Sequence, residues 1–465
     1  MKHVHFIGIG GTGLSAIARI LLEKGYIVSG SDRTASPLFK AITAAGAQTY
    51  LGHAPEQISG ADLVIRSSAI PDDNPEVIAA LAKGIKVSKR ADFLEELTAG
   101  KQTIAVAGSH GKTTTTAMLI WILRQLGTDP SFIAGGVINQ LDCNAHAGSG
   151  PYFVIEADEY DYMFLGLTPR IAIITNIEHD HPDCFPTKVD YRDAYQAFLH
   201  RLTPEGVALV CLDDPQTQLL REEMAGTAVK MLGYGLSDEA NYRVEKVDFV
   251  DGFPRFSFIY QDENSLENLG TATLRLPGSH NVLNATAVLG VIHQLGLPLP
   301  QAIKALEVFT GVGRRFEILG APKEVLIIDD YGHHPTQIRA TIEAARSRYV
   351  NRRIWVVWQP HTFSRTQMLE KEYIEALNTA DQVVVLKIYS AREADPGYSA
   401  VTIAKALPDQ KAHYCHSFEE ATQLLLSGLK PNDVMILFSA GDATKVSQNV
   451  LRALQNNPAK EGGKA

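Results

Sequence analysis

Short apolar runs recur along the chain, each closing on polar residues: HVHFIGIG, YIVSGSD, DLVIRSSAI, TIAVAGS, YFVIEAD, IAIITN, VALVCL, EVLIIDD, RIWVVWQ, QVVVLKIY and VMILFSA. Apolar runs this short, bounded by turn residues, fit strands buried on both faces, and most of the stretches between them can hold a helix. The alternation predicts α/β layering with parallel sheets. In such sheets ligands gather at the carboxyl ends of the strands, so the polar residues after each run are where chemistry is expected.

The pattern falls into blocks of 1–100, 101–312 and 313–455, with a polar tail, 456–465, expected to be disordered. Two blocks open with a strand and a glycine-rich turn, which points to serial α/β modules rather than one barrel. Residues 240–276 alternate and are rich in turns, the pattern of an antiparallel β insertion. A length of 465 residues fits two to four domains at about 100–200 residues each. The formal net charge of −9 speaks against nucleic acid as a partner, because phosphate backbones need a basic surface; it does not exclude a nucleotide. Cys143, Cys184, Cys211 and Cys415 lie far apart with no CxxC pair, which predicts free thiols in a reducing compartment. No apolar run reaches the roughly 18 residues that span a bilayer, and Met1-Lys2-His3 leads straight into a strand. A cytoplasmic protein with no membrane partner is expected.

The first turn, Gly8-Ile9-Gly10-Gly11-Thr12-Gly13, fits GxGxxG between a strand and a helix, and the next strand ends at Asp32. Such a turn places a pyrophosphate at a helix N-terminus and an acid near a ribose. NAD, FAD and a UDP-sugar all carry those groups, so this turn alone leaves a dehydrogenase open. The second turn, Gly108-Ser109-His110-Gly111-Lys112-Thr113-Thr114, follows a strand and precedes a helix-like stretch. It resembles a Walker A loop, with Val106 where the first glycine of that motif would stand. Its backbone would cradle a β-phosphate, Lys112 would reach the β/γ oxygens and Thr113 would meet Mg²⁺. One cradle for ATP and another for a pyrophosphate-bearing substrate is the simple reading, since a dehydrogenase has no use for the second.

Glu156, Asp158, Glu159 and Asp161 follow a strand beside that loop and read as carboxylates facing Mg²⁺. Asn176 and His179-Asp180-His181 follow the next strand. Asn281 and Asn284 stand one helical turn apart, so both amides can face one ligand. Arg314 and Arg315 stand at a block junction. Asp329-Asp330-Tyr331-Gly332-His333-His334, Gln359-Pro360-His361-Thr362-Phe363-Ser364-Arg365 and Ser439-Ala440-Gly441-Asp442 each follow a strand of the third block.

Taken in order, these motifs resemble the Mur ligases, which add amino acids to the growing stem of the bacterial cell-wall precursor, and the likeness runs over essentially the whole chain. Within the family, Tyr331 to Thr336, His361 to Arg365, Ser439 to Asp442, and Ser67-Ser68-Ala69-Ile70 with Asn74-Pro75-Glu76 are most similar to members joining L-alanine to UDP-N-acetylmuramate. The run EADEYD, with Tyr160, is more like members that recycle a tripeptide onto the same acceptor. The resemblance implies a Rossmann-like UDP-binding domain, a central P-loop ATPase domain and a C-terminal Rossmann-like domain. It implies ATP and Mg²⁺ as cofactors and small-molecule substrates for a monomer or homodimer. By that resemblance, Gly10, Gly11, Thr12, Gly13, Asp32, Ser67 and Ser68 serve the nucleotide sugar. Gly108 to Thr114 hold ATP phosphates. Thr113, Glu156 and His181 meet Mg²⁺, and Asn281 and Asn284 meet the adenine side. Arg315 and Asp330 complete the ATP site, and His333, His361 and Arg365 lie near the amino acid. A general base is expected among His333, His334 and His361. No lysine lies between Lys188 and Lys230, so no carbamylated lysine is expected to bridge the metal.

Overall fold

The computed structural model describes residues 2–391, 393–408 and 410–456; of the tail expected to be disordered only Asn456 is among them, closing the helix Thr444–Asn456. The chain builds three sheets, and every apolar run named above forms a strand in one of them.

The first sheet holds β1 (His3–Ile7), β2 (Ile27–Asp32), β3 (Gln48–Leu51), β4 (Leu63–Arg66) and β5 (Lys86–Lys89) in the order β3-β2-β1-β4-β5, all parallel. Strand order reverses at β1, so the crevice beyond Ile7 is a switch point, and the first glycine turn sits there.

The second sheet comprises β6 (Gln102–Ala107), β7 (Ser131–Ile138), β8 (Cys143–His146), β9 (Tyr152–Glu156), β10 (Ile171–Ile174), β11 (Val207–Cys211), β12 (Lys230–Gly235), β13 (Tyr242–Val250), β14 (Phe253–Gln261) and β15 (Leu266–Thr273). Its order is β15-β14-β13-β12-β11-β10-β6-β9-β7-β8. Strand β6 lies between β10 and β9, parallel to both, so their three carboxyl ends adjoin. The expected β insertion is β13 to β15. Asp251 and Gly252, with φ of 52° and 75°, turn β13 into β14 through the paired positive angles of a tight hairpin.

The third sheet holds β16 (Glu317–Gly320), β17 (Leu326–Asp330), β18 (Ile354–Trp358), β19 (Gln382–Val385), β20 (Ala412–Tyr414) and β21 (Val434–Phe438) in the order β16-β17-β21-β18-β19-β20. Only its edge strand β16 runs antiparallel. Apolar clusters cover both faces, with Ile328, Val356, Trp358 and Ile436 on one and Ile327, Val357, Met435 and Leu437 on the other.

The chain forms two compact units. The first takes Met1–Val247, Phe256–Ala272 and Leu283–Phe309; the second takes Asp248–Arg255, Thr273–Val282 and the chain from Thr310 onward. Within the first unit the two opening sheets share one core. Leu14, Ile17 and Leu21 of the helix Thr12–Glu23 and Phe93, Leu94 and Leu97 of the helix Arg90–Thr98 cluster with Ala145, Phe164 and Leu167. Each large apolar side chain buried there is worth about 1.5–3 kcal/mol. A polar tie adds direction: Ala147 N donates to Glu23 Oε2 at 2.7 Å. Among the described residues no helix is long and apolar enough to cross a membrane.

Candidate active site

The second glycine turn joins β6 to the helix Lys112–Gln125. Gly108 has φ +130°, and a Cβ there would overlap Thr175 Oγ1, so the chain can pass β10 only as glycine. The loop is pinned from the end of β10. Asn176 Oδ1 accepts from His110 N at 2.9 Å, and its Nδ2 donates to His110 O at 3.1 Å. Asn176 O accepts from Ser109 N at 3.0 Å. Ser109 Oγ donates to Glu178 O at 2.8 Å and accepts from Glu178 N at 2.9 Å. The amides of Ser109 and His110 therefore hold the loop's shape, and the first-turn N–H groups from Gly111 onward lie at the positive end of the helix Lys112–Gln125. Asn284 lies against this loop, its Oδ1 2.8 Å from where a Cβ of Gly111 would stand. Asn281, one turn earlier on the same helix, donates Nδ2 to Pro277 O at 2.8 Å.

Lys112 Nζ donates to Glu159 Oε2 at 2.7 Å, and Glu159 is almost fully buried. Tyr191 OH donates to the other oxygen, Oε1, at 3.0 Å, and His181 Nε2 stands 3.8 Å from it. Burial works against the Lys112 ammonium. The charges of Glu159, Asp158 and Glu156, with the Glu159 hydrogen bond, outweigh it and hold its pKa above the ordinary lysine value. Thr113 Oγ1 donates to Glu156 Oε1 at 3.1 Å, and Gly135 N to Glu156 Oε2 at 2.7 Å. His181 adopts φ +57°, a costly conformation for a residue with a side chain. His179 instead serves the loop's own fold, with Nε2 2.7 Å from Phe185 O.

At the first turn, Ser31 O accepts from Gly8 N at 2.8 Å and from Ile9 N at 3.0 Å. Asp32 Oδ2 accepts from Gly10 N at 2.9 Å, so this carboxylate shapes the turn. Ser31 is itself held from the far side: its Oγ donates at 2.6 Å to Glu76 Oε2, a fully buried carboxylate also bound by His5 and His53. Burial alone would raise the Glu76 pKa; hydrogen bonds from His5, Ser31 and His53 and the charge of His5 bring it below the usual range. Ser67 follows β4, its N bonded to Ile7 O at 3.0 Å and its Oγ to Ala69 N at 3.3 Å, and Ser68 is next in that turn.

The second unit gathers the third-block motifs. Arg314 and Arg315 both stack on Tyr331, at 4.9 and 5.2 Å from the ring centre. Asp330 is buried and accepts from Gly332 N at 2.6 Å and Phe316 N at 2.9 Å. Burial pushes its carboxyl up, opposed by the Arg315 charge and those amides. His333 and His361 face each other with ring centres 5.9 Å apart, and His361 stacks on Tyr389 at 5.7 Å. Arg365 Nη1 stands 3.2 Å from His361 Nδ1. His334 caps its helix, Nδ1 accepting from Thr336 N at 3.4 Å. Gln359 knits the Ser439 to Asp442 turn: Oε1 accepts from Ser439 Oγ at 2.7 Å and Nε2 donates to Asp442 Oδ1 at 2.9 Å.

Family models match the chain in series: the Mur ligase family catalytic domain over residues 3–102, the Mur ligase middle domain over 106–292 and the Mur ligase glutamate ligase domain over 314–441. A UDP-N-acetylmuramate–L-alanine ligase of Frankia casuarinae is 42% identical, covering 97% of this chain and 98% of its own. The chain belongs to the Mur ligase family. A solved UDP-N-acetylmuramate–alanine ligase of Thermotoga maritima superposes with a TM-score of 0.83 at 28% identity, over 98% of this chain and 99% of that one. A murein peptide ligase of Psychrobacter arcticus shares the fold, with a TM-score of 0.75 at 24% identity over 99% and 100% of the two chains.

In this Mur ligase several residues matter that pattern reading passes over. Asn176 and Gln359 were visible only as polar residues after strands, and their work depends on which loop the fold brings to them. Gly135 lies in a strand interior, where a lone glycine marks close backbone approach; a Cβ there would overlap Glu156. Tyr191 reads as a helical core aromatic until its hydroxyl is seen on Glu159.

Proposed function

We propose that this Mur ligase joins L-alanine to the lactyl carboxylate of UDP-N-acetylmuramate at the expense of ATP, releasing ADP and phosphate. The observation that carries the reading is identity of 42% to the Frankia ligase along nearly the whole of both chains, with Lys112 and its glycine turn in place. The tripeptide-recycling alternative rests on EADEYD alone.

The muramyl carboxylate attacks the γ-phosphorus, the bond to the β,γ-bridging oxygen breaks, and ADP leaves. The amine of alanine then attacks the acyl carbon, gives up a proton, and the C–O bond to phosphate breaks. Phosphoryl transfer asks for placement and charge neutralisation rather than covalent help. Lys112 is assigned to the β/γ oxygens and Arg315 to the transferring phosphoryl group, with Asp330 fixing the backbone beside Arg315 through Phe316 N. Asn284 and Asn281 are assigned to the adenine side. The hydroxyl of Thr113, the carboxylate of Glu156 and the imidazole of His181 suit a hard divalent cation, with Thr113 and Glu156 already in contact. Mg²⁺ held there would supply Lewis-acid neutralisation of phosphate charge.

The histidines separate by tautomer. A guanidinium only donates, so Nδ1 of His361 accepts from Arg365 and the neutral ring carries its proton on Nε2. His334 is in the same state, because its Nδ1 accepts from Thr336 N. Nδ1 of His333 faces Tyr331 O at 3.2 Å and must donate, which puts the lone pair on Nε2. We assign the base that takes the amine proton to His333, whose ring lies 5.9 Å from that of His361, and to His361 and Arg365 the alanine carboxylate. The unpaired thiols fit a reducing compartment, and we place the reaction in the cytoplasm.

Mass spectrometry of products, with UDP-N-acetylmuramate, ATP and either L-alanine or the stem tripeptide, tests the assignment. The alanyl product is expected; tripeptide adduct without alanyl product would replace this reading by the recycling one.

A further inference from the structure

Arg90 opens the helix that follows β5, and its guanidinium lies directly on Gly13, where any side-chain carbon would overlap Nη1. Gly13 is the second residue of the helix Thr12–Glu23, so a full positive charge stands at that helix's first turn. The N-terminal end of a helix is already the positive end of its dipole. This one has no acidic residue in its first turn and no side-chain cap from Gly11. Cation beside positive dipole is a repulsive arrangement unless an anion lies against both. Among the described residues, the anion Arg90 holds belongs to the other cradle: its Nη2 reaches Asp158 Oδ2 at 3.3 Å, in the acidic run after β9. Both side chains reach solvent, at 25% and 41% exposure, so the pair can be exchanged without unfolding anything.

We propose that Arg90 is the cation that binds the diphosphate of the nucleotide sugar, and that Asp158 is the partner it surrenders when the diphosphate arrives. The inference rests on the reading of the first glycine turn as a diphosphate cradle. A guanidinium fork matches two phosphate oxygens better than it matches one carboxylate oxygen held at a distance. The exchange also reaches the second cradle, because Asp158 directly precedes Glu159, the carboxylate that holds Lys112.

Calorimetric titration of the full-length protein with UDP and with uridine tests this. Arg90→Gln is expected to weaken UDP about ten- to a hundredfold and leave uridine unchanged, the usual worth of a charge-assisted pair. Asp158→Asn is expected to tighten UDP, because the guanidinium is then released. UDP affinity unchanged in Arg90→Gln overturns the proposal. Should Arg90→Gln lose uridine as well, the turn has been disrupted and Asp158→Asn decides: tighter UDP supports the exchange and unaltered UDP ends it. A wild-type protein that binds UDP no better than uridine removes instead the diphosphate reading of the turn itself.

Discussion

Burial disfavours the charge of Lys112, and three carboxylates outweigh it. Its replacement by alanine removes the cation and leaves Glu159 buried without its ion-pair partner. Lys112→Ala is expected to lower ADP release by on the order of 10³-fold or more while UDP still binds; near-normal turnover would remove the loop from the mechanism. His333 carries a second prediction. If it takes the amine proton, His333→Gln flattens the acidic limb of the pH–rate profile, whereas His334→Gln and His361→Gln change KM or stability and keep that limb. Asp329 carries a third. It is buried, with Oδ1 lacking a hydrogen-bond partner, and its pKa is raised to about 6 by burial, with Glu317 and Asp330 adding and Arg314 opposing. The folded chain thus prefers the protonated acid. Its contribution to stability is complete below the unfolded value of 3.8 and is lost as pH rises through about 6. That loss is worth about 3 kcal/mol, so Asp329→Asn is expected to unfold at higher denaturant than wild type at pH 8 and to match it near pH 4. An equal deficit at both pH values would contradict the sign.

Elements place these residues, and at this scale the strand interiors speak as clearly as the loops. Gly135 lies in β7 and brings its N–H to Glu156 only because nothing projects from it. Gly135→Ala is expected to leave UDP affinity untouched and raise the Mg²⁺ concentration needed for half-maximal rate severalfold, as read from metal titrations of turnover. Equal metal dependence would show that Glu156 does not hold the ion. Eleven strands were legible from the chain because each carries a short continuous apolar run; β7 and β12, interior to the second sheet but interrupted by glycines, were not. The edge strands β3, β5 and β20 were not, being short and mostly half-exposed, so no continuous apolar run marks them. The same division runs through the site. Glycine turns and strand-end acids are local patterns and could be named. The grip of Asn176 on His110, of Gln359 on Ser439 and of Arg90 on Gly13 joins residues far apart in sequence, and no spacing rule announces such pairs.

Across the whole molecule the chain resolves into two compact units, and multi-unit chains rarely unfold in one step. Calorimetry is expected to show more than one transition. Saturating UDP should raise the one belonging to the first unit, by about 2.7 kcal/mol at a hundred times Kd, and leave the other in place. A single transition that moves as a whole would mean the units unfold together. The first unit has a further property. Its two opening sheets share one apolar core and are tied through Glu23, so both glycine turns rise from one packed block. The span between them is therefore a built-in ruler. On the proposed reading, a sugar nucleotide anchored at one mark is tested for whether its acid reaches the other, and UDP-N-acetylglucosamine, lacking the lactyl arm, is expected to occupy the first mark and fall short of the second.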